Sequence, residues 1–369
     1  MKKTIAISLA VILALSTLVG CTGQETPNNT PDNSTANQSP PVQNNQTSPS
    51  PAPAPASPEQ NTPDDPPEVA AVPGHVRLGG LRGPGGMGMV KLLEDSENGQ
   101  TRNTYDYFYG NSADELTPKF LQGELDIIAV PVNLASILYH NTNGAAKIFA
   151  VTTKGVLYIV EKGGETIQTV EDLRGQEMFS VGKGSSHEFT LRYIFERNGL
   201  NPETDVEIDW IVEPPAVVAA MSTRDHAIAM LPQPFVSVAQ VQVPDFRIAL
   251  DLTREWEALG TGTSFLGTCW IVRSEFVDNH PGALEIFMEE FAASTDYVNS
   301  NLSAGAALVE KYVGINTPIA ERALPFCNLV AIYGEEMRHE TQSFLEVLFG
   351  LAPQAIGGSL PGSDFYHGA

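Results

Sequence analysis

The feature that most constrains the fold is a pattern of turns that occurs twice at nearly equal spacing. In each copy, an apolar run ends in a glycine turn that leads into a helical stretch, and a second apolar run ends in a proline turn. Gly83 and Pro131 are 48 positions apart in the first copy, and Gly182 and Pro232 are 50 apart in the second. Because short apolar runs alternate with amphipathic stretches, each copy predicts one α/β lobe.

Both kinds of turn follow strands, and open α/β sheets bind ligands at the carboxyl ends of their strands. Two facing lobes would therefore enclose a cleft with four turns around it. Glycine turns that enter helices also expose N–H groups and a positive dipole end, which suit anionic or strongly polar ligands. The predicted ligand-binding residues are Gly83, Pro84, Gly85, Met87, Asn133, Gly184, Ser185, Ser186, His187 and Gln233.

Several of these residues have a second interpretation that the sequence leaves open. Ser185 or Ser186 is typical of a helix N-cap with Glu188 as its capping-box partner, a role compatible with ligand binding. Asn133 follows the first proline turn and fits an N-cap equally well.

The sequence does not fix the charge of the ligand or the state of the cysteines. Lys154 and Arg273 are the cations to examine for pairing with an anion, although neither lies in a motif that requires it. Cys269 and Cys327 fit either a disulfide of an exported protein or two buried free thiols.

The first residues predict export and a lipid anchor. Two lysines precede the uncharged segment 5–20, which is shorter than the roughly 20 residues of a membrane span and is typical of a secretory signal. The following LVGC at 18–21 resembles the bacterial lipobox, whose cysteine receives a diacylglyceryl group. We therefore expect a signal peptide at 1–20 and anchoring to the bacterial cell membrane through Cys21.

Residues 21–71 predict a linker and not a domain. They are rich in Pro, Asn and Ser and nearly devoid of apolar residues, so they cannot bury enough surface to fold. The formal net charge of the whole chain is −23, which argues against nucleic acid as a partner, because binding it requires a basic face.

Five segments together resemble one protein family. They are GPGGMGMVKLLE (83–94), GELDIIAVPVNLASILY (123–139), VEDLRGQEMFSVGKGSSHEFTLRYIFERNGLNP (170–202), LPQPFVSVAQ (231–240) and AIGGSLPGSDFYHG (355–368). They resemble the substrate-binding lipoproteins of ABC importers in the nitrate, sulfonate, taurine and thiamine-precursor class. Gln233 stands where that family often has an acidic residue, so a charged contact there is in doubt.

The resemblance covers residues 75–369 and implies a bilobal, type II periplasmic-binding-protein-like fold. Two α/β lobes would be joined by two crossover strands, with lobe 1 at 72–153 plus 253–369 and lobe 2 at 154–252. It implies an extracytoplasmic, monomeric protein that binds a small polar or anionic organic solute without a cofactor. The expected partners are that solute and an ABC permease with its ATPase.

Two other functions stay open: a lipoprotein that senses a ligand for a membrane receptor, and an enzyme built on the same fold. The glycines at 83, 85 and 88 match a dinucleotide-binding turn, but the acidic residue that should end the next strand, Asp106, lies inside an aromatic strand. The chain has no C-x-x-C, H-E-x-x-H or G-x-S-x-G motif. We therefore predict no catalytic residue and no metal.

Overall fold

Two sheets, each assembled from its own part of the chain, organise the protein. The computed structural model describes residues 71–369. The predicted signal peptide, the predicted lipidation site Cys21 and all but the last residue of the predicted linker lie outside the described residues. Within 71–369, no helix is both long enough and apolar enough to cross a membrane.

The described residues form eleven strands. They are β1 (His75–Leu81), β2 (Thr104–Gly110), β3 (Ile127–Pro131), β4 (Ala146–Thr153), β5 (Leu157–Lys162), β6 (Glu177–Ser180), β7 (Glu207–Trp210), β8 (Ala227–Pro232), β9 (Phe246–Asp251), β10 (Thr268–Arg273) and β11 (Leu329–Tyr333).

Thirteen α-helices and four 3₁₀ turns complete this part of the chain. The helices are α1 (Pro84–Met87), α2 (Val90–Glu97), α3 (Ala113–Leu121), α4 (Val132–Asn141), α5 (Ser186–Arg197), α6 (Pro214–Ser222), α7 (Phe235–Gln242), α8 (Leu252–Ala258), α9 (Ser274–Asn279), α10 (Ala283–Ser300), α11 (Leu302–Val313), α12 (Thr317–Ala323) and α13 (Gly334–Leu351). The 3₁₀ turns are Val170–Leu173, Leu324–Phe326, Pro353–Ile356 and Ser363–Phe365.

Lobe 1 is built on a six-stranded sheet in the order β11-β4-β10-β3-β1-β2. β1 is parallel to β2 and β3, whereas β10 runs antiparallel between β3 and β4. Helices α2, α10 and α11 pack on one face, and α3, α4 and α13 pack on the other. Because both faces are covered, β3 and β4 are nearly continuous apolar runs.

Lobe 2 is built on a five-stranded sheet in the order β7-β6-β8-β5-β9. β5 runs antiparallel to β8 and β9, and β6 is parallel to β7 and β8. Helices α6 and α7 pack on one face and α5 and α8 on the other. Two mixed sheets with helices on both faces confirm the predicted α/β class.

The chain passes between the sheets twice, from β4 to β5 and from β9 through α8 to β10. The two crossings lie side by side, because Lys154 and Leu266 form an antiparallel bridge. Gly155 is required here: a Cβ added to it would lie 2.2 Å from Thr253 Oγ1. A larger residue would push α8 away from the crossing.

Apolar contacts also join the lobes. Trp256 of α8 packs against Tyr193 of α5, with ring centroids 5.1 Å apart, and against Phe344 of α13, with centroids 5.6 Å apart. Since α13 belongs to lobe 1, this aromatic group closes one side of the boundary between the lobes.

The two cysteines of the described residues are free and buried. Cys269 Sγ lies 3.5 Å from the Val130 carbonyl oxygen, and Cys327 Sγ lies 3.8 Å from Met87 Sδ. Burial raises the pKa of both thiols. Of the two interpretations that the sequence allows, the structure shows buried free thiols.

Candidate functional site

The turns after β1, β3, β6 and β8 all lie at the boundary between the lobes, which we call the gap. In lobe 1, β1 and β3 run parallel to β4, whose carboxyl end leads into the first crossing. In lobe 2, β6 and β8 run antiparallel to β5, whose amino end receives that crossing. The four strands therefore end at facing sheet edges, where an α/β protein binds ligands.

Gly83 and Pro84 begin the first turn. Gly83 is the N-cap of α1, and Pro84 is the first residue of that helix. A Cβ added to Gly83 would meet no atom within 4 Å, and the φ of 174° is extended backbone that other residues also adopt. The position therefore borders free space, and the turn itself does not require glycine there.

Gly85 and Gly86 are required by close packing. A Cβ on Gly85 would lie 2.9 Å from Thr268 Oγ1, and one on Gly86 would lie 2.3 Å from the Leu81 carbonyl oxygen. These glycines let α1 approach β10 and the end of β1. Gly85 thus contacts a side chain of its own lobe, and Gly86, which the sequence prediction omits, is the more constrained of the two.

Met87 is fully buried and belongs to the apolar cluster that covers one face of the lobe 1 sheet. Its sulfur contacts Cys327, as described above. The side chain packs within lobe 1, whereas the sequence analysis lists Met87 among the ligand-binding residues.

Three threonine hydroxyls form a cluster next to the first turn. Thr268 Oγ1 lies 2.7 Å from Thr152 Oγ1 and 2.8 Å from Thr153 Oγ1. Thr153 Oγ1 also accepts from the Thr268 N–H at 2.9 Å. The cluster holds the end of β4 to the start of β10, where the two crossings meet lobe 1.

Asn133 links the two lobes. It is the second residue of α4, whose N-cap is Pro131, so the N-cap interpretation of Asn133 is wrong. Its Nδ2 donates to the Ala355 carbonyl oxygen at 3.1 Å within lobe 1, and its Oδ1 accepts from the Ser186 N–H of lobe 2 at 2.9 Å. The side chain is 1% exposed. We call the Asn133–Ser186 hydrogen bond the clasp.

The second glycine turn leads into α5, and its local structure follows the sequence closely. Gly182 and Gly184 have φ near 78° and 77°, a left-handed conformation that favours glycine. Ser185 is the N-cap, as one of the two sequence interpretations predicts, and its Oγ accepts from the His187 N–H at 3.2 Å. Ser186 is fully buried, and its Oγ has no hydrogen-bond partner among the described residues.

Glu188 lies in the first turn of α5 and is 6% exposed. Its Oε2 accepts from the Gly184 N–H at 2.6 Å, one residue before the N–H that a capping box uses. Its Oε1 accepts from Arg192 Nε at 2.8 Å. The carboxylate therefore interacts with the positive end of the α5 dipole and with a cation one turn along the helix.

His187 is half-buried beside the second glycine turn. Burial lowers the pKa of its imidazole to about 4, so the ring is uncharged at neutral pH. A neutral imidazole offers one N–H donor and one acceptor nitrogen.

Gln233 lies in the second proline turn, where the Gln233–Pro234 peptide bond is cis. The residue is 2% exposed, and its Oε1 accepts from Ser237 Oγ at 3.0 Å. Its Nε2 makes no hydrogen bond within residues 71–369. The amide therefore keeps donors available where the turn borders the gap.

Lys154 and Arg273 both have carboxylate partners. Lys154 Nζ lies 3.0 Å from Glu340 Oε1 at the crossing. Arg273 donates to Asp126 at 3.0 Å and, with that residue, lines a cavity of about 320 Å³ away from the four turns. Neither cation is left free to pair with an anionic ligand.

A larger cavity, of about 450 Å³, lies beside the first crossing. Its lining includes Leu329 and Val330 of β11, Thr253 and Glu257 of α8, and Lys154. None of the ten predicted ligand-binding residues lines this cavity, whereas Lys154, one of the two candidate cations, does.

Two α/β lobes, two adjacent crossings and four turns around the intervening gap define the class of protein: a type II periplasmic-binding-protein fold, as predicted. A family model described as the NMT1-like family matches residues 108–311, more than half of the 369 residues. The chain belongs to this family. No curated protein sequence matches the chain significantly.

Solved structures share the fold over most of their length. An ABC transporter from Parabacteroides distasonis is 20% identical with a TM-score of 0.64, covering 79% of this chain and 98% of its own. The alkanesulfonate-binding protein SsuA from Xanthomonas axonopodis pv. citri, bound to MOPS, is 15% identical with a TM-score of 0.60, covering 79% and 96%. The nitrate-binding protein NrtA from Synechocystis PCC 6803 is 13% identical with a TM-score of 0.55, covering 80% and 93%.

Proposed function

We propose that this protein is an extracytoplasmic solute-binding protein of an ABC importer. It captures a small polar or anionic organic solute between its lobes and delivers it to a permease. The observation that carries the proposal is the gap bordered by turns of both lobes and bridged by the clasp. The structural neighbours named for sulfonate binding, nitrate binding and ABC transport support it.

Capture requires the lobes to rotate about the two crossings and to close on the solute. The clasp joins the start of α5 to α4, so it forms only when the turns after β3 and β6 meet. Closure therefore brings Ser186, His187 and Gln233 of lobe 2 toward Gly83 and Pro84 of lobe 1. The solute contributes to closure by binding both sets of turns at once.

A binding role fits the polar groups of the site better than catalysis does. The Ser186 hydroxyl has no base as hydrogen-bond partner among the described residues, and the Ser185 hydroxyl donates to the Gly182 carbonyl oxygen at 2.6 Å. Neither serine is paired with a base in the way that an activated nucleophile is.

A melting-shift screen of the full chain against small organic solutes tests this function. A captured solute should raise the melting temperature, and above Kd the shift should grow with the logarithm of its concentration. His187→Ala should reduce the shift, whereas His339→Ala, which removes an exposed histidine from α13, serves as the matched control and should leave the shift intact. Equal shifts for the two variants would contradict a site at the second glycine turn.

We also propose that Cys21 carries the lipid that anchors the protein, and that the lobes comprise 72–153 plus 253–369 and 154–252. The LVGC sequence supports the first proposal, and the division of strands between the two sheets supports the second, with the exception of α8, which packs on the lobe 2 sheet. Cys21→Ser should release the protein from the bacterial membrane fraction. Retention of this variant in the membrane would contradict the lipid anchor.

A further inference from the structure

We propose that the site selects an uncharged, hydrogen-bonding organic solute and discriminates against anionic analogues of the same shape. The inference rests on the proposed function and narrows the class of solute. It also distinguishes this chain from the structural neighbours named for binding sulfonate and nitrate.

The first observation is that three N–H groups at the start of α5 and just before it already have partners. A helix N-terminus binds an anion through such free N–H groups. Here the bonds are Gly184 N to Glu188 Oε2 at 2.6 Å, Ser186 N to Asn133 Oδ1 at 2.9 Å, and His187 N to Ser185 Oγ at 3.2 Å. An anionic group would have to break the clasp or the cap in order to bind there.

The second observation is the charge of Glu188. Its carboxylate is nearly buried and occupies the position at the α5 N-terminus that an anionic ligand would take. A sulfonate, nitrate or carboxylate bound at this turn would place a second negative charge beside it. Because the surroundings are only partly hydrated, water screens this repulsion weakly.

The third observation concerns the cations. Lys154 and Arg273 are paired with carboxylates, as described above. Arg82, in the first turn, donates to the Val313 carbonyl oxygen at 2.8 Å, which directs it toward the end of α11. Lys183 is the remaining cation in the described part of the four turns, and its side chain is exposed. Arg82 and Lys183 are both exposed, so the buried part of the site supplies no positive charge.

The polar groups that remain available are uncharged. They are the Gln233 Nε2 amide, the Ser186 hydroxyl and the neutral His187 ring. Together they offer both donors and acceptors, which suits amide, hydroxyl or ring-nitrogen groups of a neutral solute. The formal net charge of −23 adds a field that opposes the entry of anions.

Matched pairs of solutes test the inference on the full chain. The probes are benzamide against benzoate, benzenesulfonamide against benzenesulfonate, and acetamide against acetate, measured by melting shift and then by calorimetry. For each pair that binds, the neutral member should bind about tenfold tighter or more. Glu188→Gln should narrow that ratio, because it removes the charge and keeps an acceptor for the Gly184 N–H. Lys183→Ala should leave the affinity for the neutral member unchanged.

The outcomes separate the inference from the proposed function. Tighter binding of the anionic members, with loss of that binding in Lys183→Ala, would overturn the inference and leave the solute-binding function in place. An unchanged ratio in Glu188→Gln would also overturn it. If neither the neutral nor the anionic solutes bind, the result would count against the proposed function, and the inference would fall with it.

Discussion

Asn133→Ala removes the clasp, and its effect follows from the groups that it leaves without partners. Asn133 accepts from the Ser186 N–H at 2.9 Å and donates to the Ala355 carbonyl oxygen at 3.1 Å. In a closed variant the buried Ser186 N–H has no partner, which costs about 1–3 kcal/mol, whereas water replaces the bond when the lobes open. The ratio of closed to open molecules should therefore fall by about 5- to 150-fold.

Ser136→Ala is the matched control for this variant. Ser136 also lies on α4, and its Oγ donates to the Ile356 carbonyl oxygen at 2.7 Å. Both side chains therefore bond to the same 3₁₀ turn of lobe 1, but only Asn133 reaches lobe 2. A loss of lobe 1 stability is common to the two variants, and a loss of closure is specific to Asn133→Ala.

Hydrogen–deuterium exchange of the Ser186 amide measures the opening without a known solute. The exchange rate should rise by about 5- to 150-fold in Asn133→Ala and stay within about twofold of the wild-type rate in Ser136→Ala. Equal exchange in the two variants would refute the reasoning, because the clasp would then not control closure.

Three further predictions concern stability and the burial of the cysteines. Gly86→Ala should lower the melting temperature strongly, because its Cβ would lie 2.3 Å from a backbone oxygen. Gly83→Ala is the control and should change the melting temperature by less than about 2 °C, because its Cβ would meet no atom within 4 Å. Similar decreases in melting temperature for the two variants would contradict this packing. Burial alone would raise the pKa of the fully buried Glu161, but hydrogen bonds, including one from an arginine, lower it to about 2 from 4.5. The ionised Glu161 carboxylate therefore contributes about 3 kcal/mol to the free energy of unfolding above pH 4.5, and this contribution is lost as the pH falls toward 2. Urea unfolding at pH 7 and pH 3 measures the loss, and equal free energies of unfolding at the two pH values would contradict the lowered pKa. Because Cys269 and Cys327 are buried free thiols, a thiol reagent should modify them only after unfolding, and rapid modification of the native protein would contradict their burial.

Features with local causes could be predicted from the sequence. The alternation of apolar runs and amphipathic stretches predicts two α/β lobes, because each run forms a strand that its following helix covers. The Ser185 cap is also local, since the hydroxyl and the N–H that it accepts from are two residues apart. The predicted fold class and this cap are both confirmed.

Features that depend on distant residues could not be predicted from the sequence. Asn133 fits an N-cap by residue type, but its acceptor oxygen meets an N–H that lies 53 residues away. Glu340, which pairs with Lys154, and Asp126, which pairs with Arg273, lie 186 and 147 residues away. Sequence spacing gives no sign of these pairings, because the packing of the lobes creates them.

Glycine roles differ from the prediction for the same reason. The G-x-G-x-x-G spacing selects Gly83, Gly85 and Gly88, yet the tightest approach in the turn is at Gly86. A spacing rule identifies the turn, whereas the need for glycine at each position depends on what packs against it. The ligand contacts assigned to all ten residues remain predictions: Gly83, Pro84, Gly85, Met87, Asn133, Gly184, Ser185, Ser186, His187 and Gln233.

The most direct test of the central claim is an experimental structure of the protein with a solute that raises its melting temperature. The account predicts that the solute lies between the lobes, bordered by Gly83, His187 and Gln233, with the clasp intact. A solute in the 450 Å³ cavity beside Lys154 and Val330 instead, or one bound to a single lobe with the gap empty, would contradict it.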